Sequence, residues 1–340
     1  MINKNSKVIE QIKKGSEKSG KTYSFNDTHN ENEIAQMWFQ QSEDGLVLFV
    51  VFYTLACRWS RCLGCNLPSQ VSGRHIPYNA IMAQIDDLFS RPDVVAKKND
   101  IKKIIISNNG SILDEDTFSS TALMYLLAKV NMNLHGLKVF GIETRPEYVD
   151  VAELEFMARA LAEGETETRL EIIIGFEAFD DHIRNNVFDK GLSLDLFERF
   201  VESLSPFGYS LKCYFMQKPV PDMDDEAAVE DIKRGIDYLS GISRQYRVSV
   251  NIHLNPTYVA TGTVIEEAFK RGDYTPPYLI DVARAALHAK NKDVSMFIGL
   301  SDEDLALEGG SFIRPGEDRI IQEMERFNQT GNYTILENLL

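Results

Sequence analysis

The chain has no apolar run approaching the ~20 residues needed to span a bilayer. Its longest, Leu46 to Thr54, is the length of one buried strand. The segment Met1 to Lys21 is polar and lysine-rich and lacks the apolar core of a secretory signal. The expectation is a cytoplasmic protein without a membrane partner. Positive charge is also in short supply. A formal net charge of −15 speaks against an extensive nucleic-acid surface of its own. Small molecules, proteins, or nucleic acid presented by a partner fit that balance better. Low-complexity tracts, internal repeats and interdomain linkers are absent. Cysteine is scarce, at four in 340 residues. In a reducing compartment, cysteines that cluster point to metal or catalysis, not to a disulfide framework.

What is present is alternation. Strand-like apolar runs fall at 47–54, 103–108, 137–142, 169–175, 210–216, 248–254 and 294–299. Helical patterns lie between them, at 78–90, 117–130, 150–163, 194–205, 225–242 and 277–290. Repeated βα units imply a parallel sheet with right-handed crossovers. Six or more of them predict an α/β fold, a partial (β/α)6 TIM-like barrel, over residues 45–300. Residues 1–44 read as a polar, helical extension, with a short helix over Glu31 to Gln41. Residues 301–340 read as a C-terminal helical extension, with one or two helices from Ile320 to Leu340.

Three of the four cysteines crowd into nine residues, Cys57-Arg-Trp-Ser-Arg-Cys62-Leu-Gly-Cys65, directly after the first apolar run. Three thiolates on one loop can hold three corners of an iron–sulfur cluster and leave the fourth iron open. The other metal reading is a zinc loop with His75 as the fourth ligand, although ten residues separate it from Cys65. Cys213 lies mid-strand and reads as a small packed residue.

In a barrel, working residues gather at the C-terminal ends of the strands. Polar residues recur at those places here: Asn108-Asn109-Gly110-Ser111, Glu143-Thr144-Arg145-Pro146-Glu147, Gly175-Phe176-Glu177, Lys212 to Pro219, and His253 to Tyr258. Asn108 to Ser111 can present acceptors to an ammonium, or form an ordinary Asn-Gly turn. Arg145 can clamp a carboxylate or pair with Glu143. Glu177 can bind hydroxyls or cap the helix near Asp180. Lys190, Lys212 and Lys218 are cations near the same mouth. Tyr214, Met216 and Lys218 share one strand face, and His253 and Asn255 share another, with Tyr258 following. These six are candidate substrate contacts.

The cysteine loop resembles that of the radical S-adenosylmethionine (SAM) superfamily, whose usual signature is Cys-x3-Cys-x2-Cys after the first barrel strand. Two departures stand out: the first gap is four residues, and Gly64 occupies the place of an aromatic. Cys57-Arg58-Trp59, Gly110 to Asp114, Glu143 to Glu147, Gly175 to Glu177, Asn186 to Gly191 and Asn255 to Tyr258 appear in the order seen in the elongator-catalytic-subunit-like branch. The likeness is strongest to the archaeosine-synthesis radical SAM proteins of archaea. It covers about residues 45–300, but Gly309 to Asp318 lacks the cysteines of that branch's C-terminal segment. The resemblance implies that Cys57, Cys62 and Cys65 ligate a [4Fe-4S] cluster whose open iron takes SAM. It implies reductive cleavage of SAM to methionine and a 5′-deoxyadenosyl radical, fed by a donor such as flavodoxin or ferredoxin. It also implies SAM contacts from Asn108, Asn109, Gly110, Ser111, Glu143, Arg145, Glu177 and Lys190. A binding protein stabilised by zinc or a cluster, or cleavage of another sulfonium bond, are the competing readings.

Overall fold

The computed structural model describes residues 2–340, with side chains from residue 5 onward. The chain forms two compact units. The first comprises residues up to Ser16, Ser24–Ser60 and Leu67–Ile173; the second comprises Glu17–Tyr23, Arg61–Asn66 and Ile174–Leu340. Strand order follows chain order.

Helix α1 (Ile2–Lys18), in the first unit as far as Ser16, precedes that unit's hairpin of β1 (Gln36–Ser42) and β2 (Gly45–Val51). Helices α2 (Tyr78–Ser90) and α3 (Pro92–Lys97) lead to β3 (Ile101–Ser107), then α4 (Ser120–Asn133), β4 (Val139–Glu143), α5 (Val151–Leu161) and β5 (Arg169–Glu177), which continues into the second unit. Strands β2, β3, β4 and β5 pair in parallel. Val47 to Val51 are all buried, as a parallel strand covered on both faces requires. A charged pair penetrates this core. Lys103 on β3 lies 2.8 Å from Glu171 on β5 and 3.0 Å from Asp44 in the hairpin turn.

In the second unit, β5 leads through a π-turn (His182–Val187) to α6 (Leu194–Leu204), β6 (Ser210–Gln217), α7 (Asp225–Tyr246), β7 (Val250–Pro256), α8 (Val264–Arg271), α9 (Leu279–Leu287), β8 (Ser295–Ile298), α10 (Asp318–Thr330) and α11 (Tyr333–Glu337). Strands β6, β7 and β8 pair in parallel. Phe176 stacks on Phe215 at 4.9 Å and meets Phe197 edge-on at 5.0 Å. Gly235 lets α7 approach that stack, because a Cβ there would stand 2.5 Å from the Phe215 ring.

The expected α/β class, with chain-order parallel strands and intervening helices of a partial (β/α)6 barrel, is what the chain adopts. The seven expected strands and six expected helices all form, as do two helices within 318–337. The helix expected over Glu31 to Gln41 does not. Gln36–Ser42 is instead an antiparallel strand, in which Trp38 pairs directly with Phe49 and stacks on it at 4.1 Å. The two-residue turn Glu43-Asp44 closes the hairpin, and cross-strand aromatic packing outweighs a weak helical pattern. Among the described residues, no helix is long and apolar enough to cross a membrane.

Candidate functional site

In the first unit, chain leaving β2 stays extended because a side chain takes the place of a strand. Gln84 accepts from Tyr53 N at 2.9 Å and donates to Tyr53 O at 2.8 Å. Ala56 N and Thr54 O then bond to Ser72 O and Ser72 N at 2.8 and 2.9 Å. That delivers Cys57 to the end of β3. A Cβ on Gly110 would stand 3.0 Å from Cys57 Cα, so glycine permits the contact. Asn109 beside it holds φ 56°, which asparagine tolerates.

The turn after β3 is braced from within. Asn108 donates to Thr117 Oγ1 at 3.2 Å, and its buried Oδ1 has no hydrogen-bond partner among the described residues. Asn109 Nδ2 donates to Leu67 O at 3.2 Å. Ser111 and Thr144 share a hydroxyl hydrogen bond of 2.6 Å, and Arg145 N donates to Ser111 Oγ at 3.3 Å. Ile112 N donates to Glu143 O at 2.9 Å, so the ends of β3 and β4 are joined. Arg145 is buried, stacks over Trp59 at 4.3 Å, and its Nε donates to Glu147 at 2.5 Å. Glu147, two residues on across Pro146, is thus one carboxylate partner of Arg145.

In the second unit, Cys62 and Leu63 pack against Phe188, Val220, Met223 and Ala228. Leu63 N donates to Phe188 O at 2.9 Å, and Arg61 reaches Asp189 at 3.5 Å. Gly64 is explained by Ile265: a Cβ at 64 would stand 2.5 Å from Ile265 Cδ1. The place of the usual aromatic is taken from α8. Asn66, next after Cys65, donates to Leu305 O at 3.2 Å and accepts from Tyr258 OH at 3.4 Å. Burial pushes the Tyr258 hydroxyl's pKa well up, so it keeps its proton.

The end of β5 presents Glu177, which holds φ 72° and accepts from Lys190 at 2.7 Å. Arg184, absent from the sequence candidates, builds the loop between them. Fully buried, it donates to Leu192 O (2.7 Å), Ala178 O (3.0 Å), Phe179 O (2.7 Å) and Asp181 Oδ1 (2.8 Å). Asp231 accepts from Phe179 N and Asp180 N at 2.8 and 2.7 Å, while burial still raises its pKa. Arg184 lies just before the Asn186–Gly191 run, outside every motif that the sequence offered.

Tyr214 and Met216 are half-buried on one face of β6, and His253 and Asn255 on one face of β7. His253 meets Tyr214 edge-on at 4.9 Å and Phe297 at 4.7 Å. Lys212 donates to Asn251 Oδ1 at 2.5 Å. Lys218 leaves this group. With φ 62° just past the strand end, it pairs with Asp225 at 2.8 Å and lies over the Tyr274 ring at 5.6 Å.

None of the four cysteines is in a disulfide; Cys57, Cys62 and Cys65 are half-buried, and burial pushes the Cys213 thiol pKa up. His75 is exposed. Among the described residues, no group of three or more His, Cys, Asp and Glu side chains is gathered as the ligands of one metal ion are. The donor set nevertheless fits an iron–sulfur cluster in kind, being three unbridged thiols on one loop. The Asn108 Oδ1, buried and unspent, fits an ammonium donor.

No family model matches the chain. Among curated proteins, it is 28% identical over 246 residues to archaeosine synthase subunit beta of Methanosarcina acetivorans, covering 72% of this chain and 66% of that protein. The protein of the same name from Thermococcus kodakarensis is 24% identical over 319 residues, 89% of this chain and 93% of its own length. The chain is a sequence relative of these beta subunits. The resemblance carried by the motifs, to the radical SAM elongator-like branch and its archaeosine-synthesis members, agrees with them. Among solved structures, archaeal Elp3 of Methanocaldococcus infernus, with its N-terminus deleted, aligns at a TM-score of 0.49 and 18% identity. That alignment covers 74% of this chain and 59% of the Elp3 chain.

Proposed function

We propose that the protein is a radical SAM enzyme in which Cys57, Cys62 and Cys65 hold a [4Fe-4S] cluster. The observation that carries the reading is the close seat of Cys57 on Gly110, within the Asn108–Ser111 turn that holds an unspent acceptor. Cluster and SAM, when bound, supply one-electron cleavage of the sulfonium and hydrogen abstraction from a substrate. The remaining work belongs to the chain. Asn108 Oδ1 would accept from the SAM ammonium, and Arg145, stacked on Trp59 and bonded to Glu147, would take its carboxylate. Glu177, held by Lys190, would take the ribose hydroxyls. Tyr214, Met216, His253 and Asn255 would be the substrate contacts.

The relatives' name makes a tRNA nucleoside the substrate class to test first, with a small molecule as the alternative. A net charge of −15 fits a protein whose RNA is presented by a partner subunit. Anaerobic reconstitution tests the reading: uptake of about four irons and four sulfides, then 5′-deoxyadenosine and methionine from SAM under a strong reductant. Methylthioadenosine in their place would mean that another sulfonium bond breaks. Zinc without iron, or SAM cleavage that survives Cys57→Ala, overturns it.

A further inference from the structure

The gap between Cys57 and Cys62 is one residue longer than the usual three, and its first two residues are both engaged inside the first unit. Arg58 donates from Nε to Tyr148 OH at 3.0 Å. Its Nη2 stands 2.9 Å from Asp114 Oδ1 and its Nη1 2.6 Å from Asp116 Oδ2. The guanidinium also lies over the Tyr148 ring, 4.8 Å from its centre. Asp114 is only 2% exposed, so this is not a solvated surface pair. Trp59 gives its ring to Arg145, and Ser60, at φ 49°, donates its hydroxyl back to Cys57 O. Three acceptors around one planar fork fix the plane and direction of the arginine. The Cα of residue 58 is thereby fixed too, one peptide away from Cys57. Gly110 closes on Cys57 from the other side.

We propose that Arg58 is a positioning residue, which sets Cys57 in its ligating position before any cluster arrives and makes the longer gap workable. The ligand role of Cys57 rests on the function proposed above; the anchoring by Arg58 does not. Arg58 lies 56 and 58 residues from its two carboxylates, so the anchor ties the loop to the segment after β3 and not to its own neighbours. A lysine would place a single ammonium where three directed bonds are needed.

The test is the rate of iodoacetamide alkylation of each cysteine in the iron-free full chain, read by mass spectrometry. In Arg58→Gln and Arg58→Lys, Cys57 is expected to react at least about tenfold faster, as its local opening becomes easier, while Cys62 and Cys65 change less than about twofold. Should Arg58→Gln fail to fold, Asp116→Asn and Tyr148→Phe each remove one partner and are expected to show the same Cys57 selectivity at smaller size. Equal acceleration at all three cysteines, or none at Cys57, overturns the proposal. Iron uptake separates the two claims. Wild-type protein that takes up no iron overturns the proposed function and leaves the alkylation pattern standing. Wild type and Arg58→Lys loading equally well, with Cys57 unchanged, overturns the anchor alone.

Discussion

Glu177 and Lys190 meet at 2.7 Å in the space that a side chain at residue 175 would fill. Gly175 therefore leaves room for this pair, which the proposed function assigns to SAM. A Cβ there would collide with both Glu177 Oε1 and Lys190 Nζ. Both are ends of flexible side chains, so the fold can yield, but the carboxylate must move. Gly175→Ala is expected to weaken SAM binding by about tenfold or more, because small displacements of a positioned group are costly. The melting temperature should fall by only a few degrees (about 2–4 °C per kcal/mol at this size). Calorimetric titration of reconstituted protein with SAM checks this; unchanged affinity would remove Glu177 from the proposed SAM site.

The buried Lys103–Glu171 pair gives a stability experiment with a pH signature. Lys103→Met leaves the Glu171 carboxylate buried without its cation and is expected to cost about 3–5 kcal/mol. Lys103→Met with Glu171→Leu should recover most of that loss. Burial works against the ammonium, but Glu171 and Asp44 outweigh it, and Lys103 titrates above its ordinary value. A raised folded-state pKa contributes stability that is fully present below the unfolded lysine value of about 10.4 and is lost as pH rises through the folded one. Urea denaturation of wild type should show that alkaline loss, and the double variant should show less of it. A double variant as weak as Lys103→Met would refute the pairing.

Periodicity made most of the fold legible. The apolar run at 47–54 became β2, and the helix expected at 78–90 is α2, Tyr78–Ser90. Strand β1 was not legible, because its stability lies in a partner strand and in Trp38 on Phe49. At the site, the order of polar strand ends was readable, while their pairings were not. Arg58 finds Asp114 and Asp116 through the tertiary fold, and no local pattern marks such a contact. Strict alternation put Lys218 with Tyr214 and Met216, but β6 stops at Gln217 and the backbone turns at φ 62°. The contact of Arg145 with Glu147 depends on the tight turn that Pro146 starts.

Gly64 can be tested by introducing the aromatic of the signature that its loop resembles. A phenylalanine at 64 must displace Ile265, whose Cδ1 would lie 2.5 Å from the new Cβ. Gly64→Phe is expected to destabilise by about 1–3 kcal/mol through overpacking. Gly64→Phe combined with Ile265→Ala should regain part of this, since the deleted side chain frees the space. Thermal unfolding of the three variants forms a double-mutant cycle. Strict additivity would mean that Ile265 is not what excludes a side chain at residue 64.

Arg184 sets the loop that carries Lys190, and its replacement should be felt there first. Arg184→Met leaves the carbonyls of Ala178, Phe179 and Leu192 without their buried donor. Each such loss costs about 1–3 kcal/mol, so a total of at least about 3 kcal/mol is expected. Arg184→Lys should recover little, because one ammonium cannot reach Leu192 O and the Ala178 and Phe179 carbonyls together. Hydrogen exchange locates the effect. The amides of Lys190 and Leu192, bonded to Arg184 O at 2.9 Å and Asn185 Oδ1 at 2.8 Å, are expected to lose protection in both variants. Amides of β2 and β3 in the first unit should keep theirs. Loss of protection across both units alike would make Arg184 a determinant of global stability, and the loop's order would then need another source.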